Sequence, residues 1–424
     1  MKPVPRLGRT TVVLSFVWVG AIGFAMAEGP GRQKTILELQ PLIQEALQNN
    51  PEVAAAREQV QGMKERVPQA GVLEDPEVYI RLWNTPESLN VTKTDTTIYG
   101  LAQRFPVPGL LSQQEAVAIH EAKQAEQRLA AKILEITSSV TVTYYELFYA
   151  HSALAVHHEQ VTLLKQFFEI ANAKFKVGKG TQVDVLRAQV ELSKLFQHLP
   201  ILEQRQETAQ AHLNTLLDRA PLTPLGIPRK PDNPPLTYSL DALQEEALQV
   251  RPELQEAGLA VAQYQSATKL ARLRFFPHLR VELQRWQNYQ ADDGFGGNVT
   301  LNIPFSFWTK SKYDAGVREA AAQVAGARAR KRTLENLTRF QIKDLVAQIQ
   351  ATEQVIYLFS TTVLPQAKQT LQAANAGYRT DRSDFLDLID AERALLSYQL
   401  DYFRALADRE QQIAQLEQVV GKDL

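Results

Sequence analysis

The candidates for chemistry are few. The chain has seven histidines, and His151, His157 and His158 beside Glu159 raise the question of a metal, because neutral imidazole is the commonest metal-binding side chain. A helical zinc pair stands at i, i+4. His151 and His158 are two turns apart, too far for that pairing. Asp387 and Asp390 stand at i, i+3 within RTDRSDFLDLIDAE (379–392) and share one helix face. Two acids at a helix start also suit the macrodipole, with Ser383 or Asp384 as cap. No HExxH motif, Gly-rich phosphate loop or nucleophile elbow occurs, so neither an enzyme nor a cofactor is expected.

The acidic stretch has a counterpart 203 positions earlier, KVGKGTQVDVLRAQ (176–189), with Asp184 in register with Asp387 and Arg187 opposite Asp390. The duplication extends outward. EALQNNPEV (45–53) returns as EALQVRPEL (246–254), Pro51 and Pro76 have counterparts in Pro252 and Pro277, and Pro106 corresponds to Pro304. Anchors in one order imply two copies of one unit, 36–220 and 240–424. Between them lies a linker, 221–239. Its stretch PLTPLGIPRKPDNPPL carries six prolines, which break helix and favour an extended path.

Residues 110–177 contain neither Gly nor Pro, and Leu164, Phe168, Ala171 and Phe175 keep apolar groups on one helical face. Unbroken, that helix is on the order of 100 Å long. The second copy carries a similar stretch, 327–364, ending at Pro365. Alanine-rich runs such as EAAAQVAGARA (319–329) permit close helix approach. A coiled-coil stalk has the same periodicity.

Alternation replaces this pattern at about 77–84, 96–105, 278–289 and 297–304, with DDGFGGN (292–298) as a turn. Each such strand is long enough to cross a bilayer with tilt. Trp83, Trp286 and Trp308 lie in or beside these segments with Tyr79, Tyr99, Phe105, Phe305 and Phe307, as aromatic girdles at a membrane surface would. Four strands cannot close a membrane barrel, and open edges are not tolerated in lipid. Several chains must therefore contribute, and three would give twelve strands.

Lys2, Arg6 and Arg9 precede an apolar run, Val12–Phe24, and Ala25-Met26-Ala27 is a cleavage site, which together read as a signal peptide over 1–27. Its removal takes three of the 46 basic residues and none of the 47 acidic ones. The chain has no net basic field for nucleic acid, and RARKR (328–332) reads as a solvated helix face. With no cysteine there is no disulfide, no thiolate metal site and no lipoprotein anchor. After residue 27 no apolar run is long enough for a transmembrane helix.

The signal, the duplicated helix–hairpin–long-helix unit, the segment RFPVPG (104–109) and the two turn motifs together resemble the TolC-like outer-membrane efflux family over essentially all of 36–424. The resemblance implies a mainly helical fold with a small membrane β part. It also implies a homotrimer of a Gram-negative outer membrane, with a 12-stranded barrel set in lipid and a helical tunnel through the periplasm. A periplasmic adaptor and an inner-membrane pump of proton-driven (RND) or ABC type complete such systems. It further implies that Val177, Gly178 and Thr181 form an adaptor-docking tip. In the second copy Asp381, Arg382 and Ser383 hold that place, with Asp381 where the glycine usually stands. Asp387 and Asp390 match the family's entrance acids, and Asp184 with Arg187 would lock adjacent helices there. The function implied is an exit channel for small molecules or heavy-metal cations. A duct for protein secretion, or a periplasmic adaptor or stalk, are the alternatives.

Overall fold

The protein is described by a computed structural model covering residues 36–424 except 86, 88–93, 233, 289–290 and 305. The expected signal peptide, Phe305 and most of the loop before the second long strand lie outside the described residues. The chain begins with β1 (Ile36–Leu37), α1 (Leu39–Asn49) and α2 (Pro51–Ala70). Then come β2 (Glu77–Trp83), β3 (Thr96–Phe105), α3 (Leu110–Lys176) and α4 (Gln182–Leu216). After β4 (Ile227–Pro228) the order repeats as α5 (Leu240–Val250), α6 (Pro252–Leu273), β5 (Leu279–Asn288), β6 (Gly294–Leu301) and α7 (Lys310–Leu358). A π-helical turn (Phe359–Val363) leads into α8 (Leu364–Arg379), and α9 (Phe385–Val420) closes the chain.

Helix α3 has 67 residues, on the order of 100 Å. Pro365 was expected to end the matching helix of the second copy, yet the chain stays helical through it to Arg379. Proline lacks an N–H and crowds the preceding turn. The π turn just before it resets the hydrogen-bond pairing, and Pro365 then occupies the first turn of α8, where no donor is needed.

One antiparallel sheet joins the two copies in the order β2-β3-β5-β6. Its register pairs Val78 with Leu101, Leu101 with Leu283, and Leu283 with Gly297. Facing residues share a side of a sheet, so one side presents Val78, Ile80, Leu101, Leu283, Val299 and Leu301, all exposed. The other side is polar: Arg280 bonds Glu77 and Glu282, and Tyr79 donates to Gln284.

Strand β6 begins at Gly294, inside the stretch whose glycines read as turn. Trp286 is opposite Gly294, and Cβ atoms at Gly294 and Gly296 would lie 2.6 Å and 2.3 Å from its indole. The ring therefore covers two glycines and makes a strand of residues that would not form one alone. Tyr79 covers Gly100 in the same way.

Two of the apolar clusters among the described residues pack the longest helices. One packs α1, α3, α4 and α9 around Val140, Tyr144, Leu147 and Leu406. The other packs α3, α4, α8 and α9 around Leu164, Phe167, Phe385 and Leu388. Ala150, Ala153, Ala188 and Ala407 are fully buried and bring backbones close. The proline-rich linker is fastened to this body: β4 pairs parallel with β1, and the Tyr144 hydroxyl donates to Leu37 O while accepting from Arg229 N. Arg409, nearly fully buried and paired with Glu353 and Glu410, donates to Pro234 O.

Candidate functional site: the paired helix turns

The turns α3–α4 and α8–α9 end the second apolar cluster. Gly178 stands at φ 74° and Asp381 at φ 61°, both left-handed, where a non-glycine residue is uncommon and Asp is among the better tolerated. The backbone bonds match one for one. Gly178 N donates to Phe175 O and Lys179 N to Lys174 O, while Asp381 N donates to Tyr378 O and Arg382 N to Gly377 O. With Asp381 in place of the usual glycine, the second turn keeps the same helix-ending geometry as the first.

Both following helices are capped alike. Thr181 Oγ1 accepts from Asp184 N and Asp184 Oδ2 from Thr181 N, at 3.3 Å and 3.2 Å. In the second turn Asp387 Oδ2 accepts from Asp384 N at 3.2 Å. Asp184 and Asp387 thus each hold a helix start.

Asp387 and Asp390 are exposed while Phe385 before them and Leu388 and Ile389 between them are buried, so the two acids occupy the outer side of α9. Asp390 is bonded at 3.2 Å to Arg393, which also bonds Glu191 of α4 at 3.1 Å. That bond holds the Glu191 carboxyl below the usual carboxylate range. Arg187 is exposed and, among the described residues, forms no ion pair with Asp184 or any other acid. The intrachain Asp184–Arg187 pair is therefore not formed within the protomer. Val177 is exposed at the turn apex, as are Gly178, Thr181, Asp381 and Arg382; Ser383 is half-buried and donates to Ala374 O.

One link between the turns was missed by sequence reading. Lys174, in the last turn of α3, donates to the Tyr378 carbonyl and to the Asp381 carboxylate, with its ammonium 4.4 Å from the centre of the Tyr378 ring. Lys174 holds the Asp381 carboxyl below the ordinary range. The buried Tyr378 hydroxyl has no hydrogen-bond partner, and burial, then Asp184 and Asp381, push it up to about 12. The signal for Lys174 was a cation at a helix C-terminus. Its target lay 207 residues away, and no local pattern pointed to it.

The other expected residues are elsewhere. Trp83 and Trp286 share the polar side of the sheet, since Trp83 pairs with Thr96 and Thr96 with Asn288, two residues after Trp286. Trp308 lies outside the strands, 70% exposed and edge-on to Phe307 at 4.5 Å. Of the three, only Trp308 is free of that polar side. His157 is buried, its Nδ1 3.1 Å from Ala153 O, and burial lowers its pKa. Among the described residues no group of three metal-ligating side chains converges, and no helix is long and apolar enough to cross a membrane.

The outer membrane efflux protein model matches residues 42–219 and 243–422, one match per copy. The cobalt-zinc-cadmium resistance protein CzcC of Cupriavidus metallidurans is 22% identical over 401 residues, spanning 91% of this chain and 90% of that one. Among solved structures, the fold is similar to CusC (TM-score 0.79, 18% identity, 94% and 96% of the two chains). It is likewise similar to the outer membrane protein VceC of Vibrio cholerae (TM-score 0.77, 18% identity, 91% and 96%). The chain belongs to the outer membrane efflux protein family, whose members are channels rather than enzymes, set in the Gram-negative outer membrane and extending into the periplasm.

Proposed function

We propose that three copies of this chain form the exit duct of a tripartite efflux system, with a 12-stranded barrel in the outer membrane and a helical tunnel below it. The observation that carries this reading is the sheet: one apolar exposed side, one polar side, and two unpaired edges at β2 and β6. An open sheet cannot rest in lipid with unpaired backbone groups. Joining β6 of one copy to β2 of the next removes every edge, places the apolar side toward lipid and encloses the polar side. Exposed Val183, Leu186, Val190 and Ile201 along α4 supply an apolar stripe for a neighbouring copy below the barrel.

At the far end the turns 177–181 and 380–383 dock a periplasmic adaptor, which connects to an inner-membrane pump. Asp387 and Asp390, with Asp184 and Arg187, line the entrance, and a ring of carboxylates from three chains favours cations. The transported solutes are small molecules or heavy-metal cations, a reading supported by likeness to a protein named for cobalt, zinc and cadmium resistance. Chemical cross-linking of the detergent-extracted protein tests the assembly: a trimer is expected, and a detergent-free soluble monomer overturns the duct. Growth of a deletion strain on cobalt, zinc, cadmium and cationic dyes tests the cargo. Unchanged tolerance to all of them overturns it.

A further inference from the structure

Where α3, α6 and α7 meet, an open cleft of about 560 Å³ is lined by His120, Lys269, Arg272 and Arg328, with Gln265 and Ser266, and by no acidic residue. Gln265, Lys269 and Arg272 stand at i, i+4 and i+7 on α6 and so form one stripe. Small residues Ala262 and Ala321 leave the room above it. Some cations of this chain are closely paired: Arg219 with Glu45, Arg404 with Glu146 and Asp408, Lys422 with Glu246. Among the described residues Lys269, Arg272 and Arg328 have no such partner, and His120 Nδ1 is a buried polar atom with no hydrogen bond. Three uncompensated cations facing one opening, beside amide, hydroxyl and imidazole groups, have the composition of a phosphate site.

Its place in the chain narrows the source. Arg272 is in the last turn of α6, and the apolar side of the sheet starts at Leu279, with exposed Arg274 and Phe276 between them. If the strands cross lipid, the Arg272 end of the cleft is at the level of the headgroups on the helix side. We propose that the cleft binds a phosphate group, supplied by the headgroup of an anionic phospholipid in the leaflet bordering the helices. The proposal of lipid as source rests on the membrane reading of the sheet. The phosphate chemistry does not. Arg328, the first residue of the basic run 328–332, thereby has a function beyond solvation.

The test uses the full chain, purified as its native oligomer in neutral detergent and titrated with short-chain phosphatidylglycerol, phosphatidylcholine and inorganic phosphate, with bound molecules counted by native mass spectrometry. Lys269→Gln/Arg328→Gln is compared with wild type and with Lys343→Gln, which removes an exposed cation elsewhere on α7. Phosphatidylglycerol retention, at least tenfold weaker in the double variant and unchanged in Lys343→Gln, is the expected result. Binding of inorganic phosphate without preference for phosphatidylglycerol keeps the phosphate site and overturns the lipid source. No binding of either, or equal loss in Lys343→Gln, overturns the site. Should the protein prove soluble without detergent, the membrane reading fails, while the phosphate titration still decides the cleft.

Discussion

Lys174 of α3 and Asp381 of the α8–α9 turn form an ion pair that ties the two helix-pair ends together, and the same ammonium caps the end of α8 through Tyr378 O. Replacing Lys174 with Met removes the pair, the cap and the cation over the Tyr378 ring at once. The expected outcome is a higher open probability of single channels in planar bilayers, because the two turns then move independently. Asp381 is exposed and its carboxyl is held low by Lys174. A lowered carboxyl keeps its charge, and the tie, until pH falls through its depressed value. The open probability of wild-type channels should therefore stay unchanged until pH falls below the ordinary carboxylate range, and high salt should weaken the tie at any pH.

Glu392 has the opposite behaviour. It is 2% exposed on the inner side of α9, its Oε1 has no hydrogen-bond partner, and burial, then neighbouring Glu191, push it up to about 7. A raised carboxyl leaves stability intact while both folded and unfolded chains are protonated. That stability is lost as pH rises from the unfolded value through about 7. Glu392→Gln should raise thermal stability by roughly 3 kcal/mol at pH 8, taking about 1.4 kcal/mol per unit. Below pH ~4 the variant and wild type should unfold together. Equal midpoints at both pH values would contradict a buried, proton-holding Glu392.

The duplicated architecture was legible because its marks are local: prolines at copied positions, alternation in the strands, and an uninterrupted helical stretch before Val177. What was illegible arises from backbone geometry and from contacts that only the folded chain makes. Asp381 reads as a lost glycine, but it keeps the left-handed turn. Trp286 reads as a membrane anchor, but β6 supplies glycines for its ring to cover. Lys174 has a glycine, Gly377, as its counterpart, so repetition alone gave it no role. Asp387 reads as an acid available to solvent, whereas one of its oxygens accepts from the backbone of Asp384.

The glycines under Trp286 give a strand-level prediction. Gly296→Ala places a Cβ 2.3 Å from the indole, so the ring must leave, at about 1–3 kcal/mol for an overpacked contact. The assembled protein should melt at lower temperature on heated, unreduced gels. In Trp286→Ala the same glycine change should cost far less. Additive losses would show that the ring and the glycine do not interact.

Separating charge from capping decides what the tip acids do. Asp387→Asn keeps an oxygen that accepts from Asp384 N and removes the charge, whereas Asp387→Ala removes both. Stability should fall by about 1 kcal/mol in the alanine variant and stay near wild type in the asparagine variant. Asp390 is shared with Arg393, so its charge is partly compensated and Asp387 carries more of any field. Cation selectivity in bilayers, and block by multivalent cations, should drop in Asp387→Asn and drop further in Asp387→Asn/Asp390→Asn. If selectivity survives in the double asparagine variant while Asp387→Ala is merely unstable, the acids serve the helix start and do not guard an entrance.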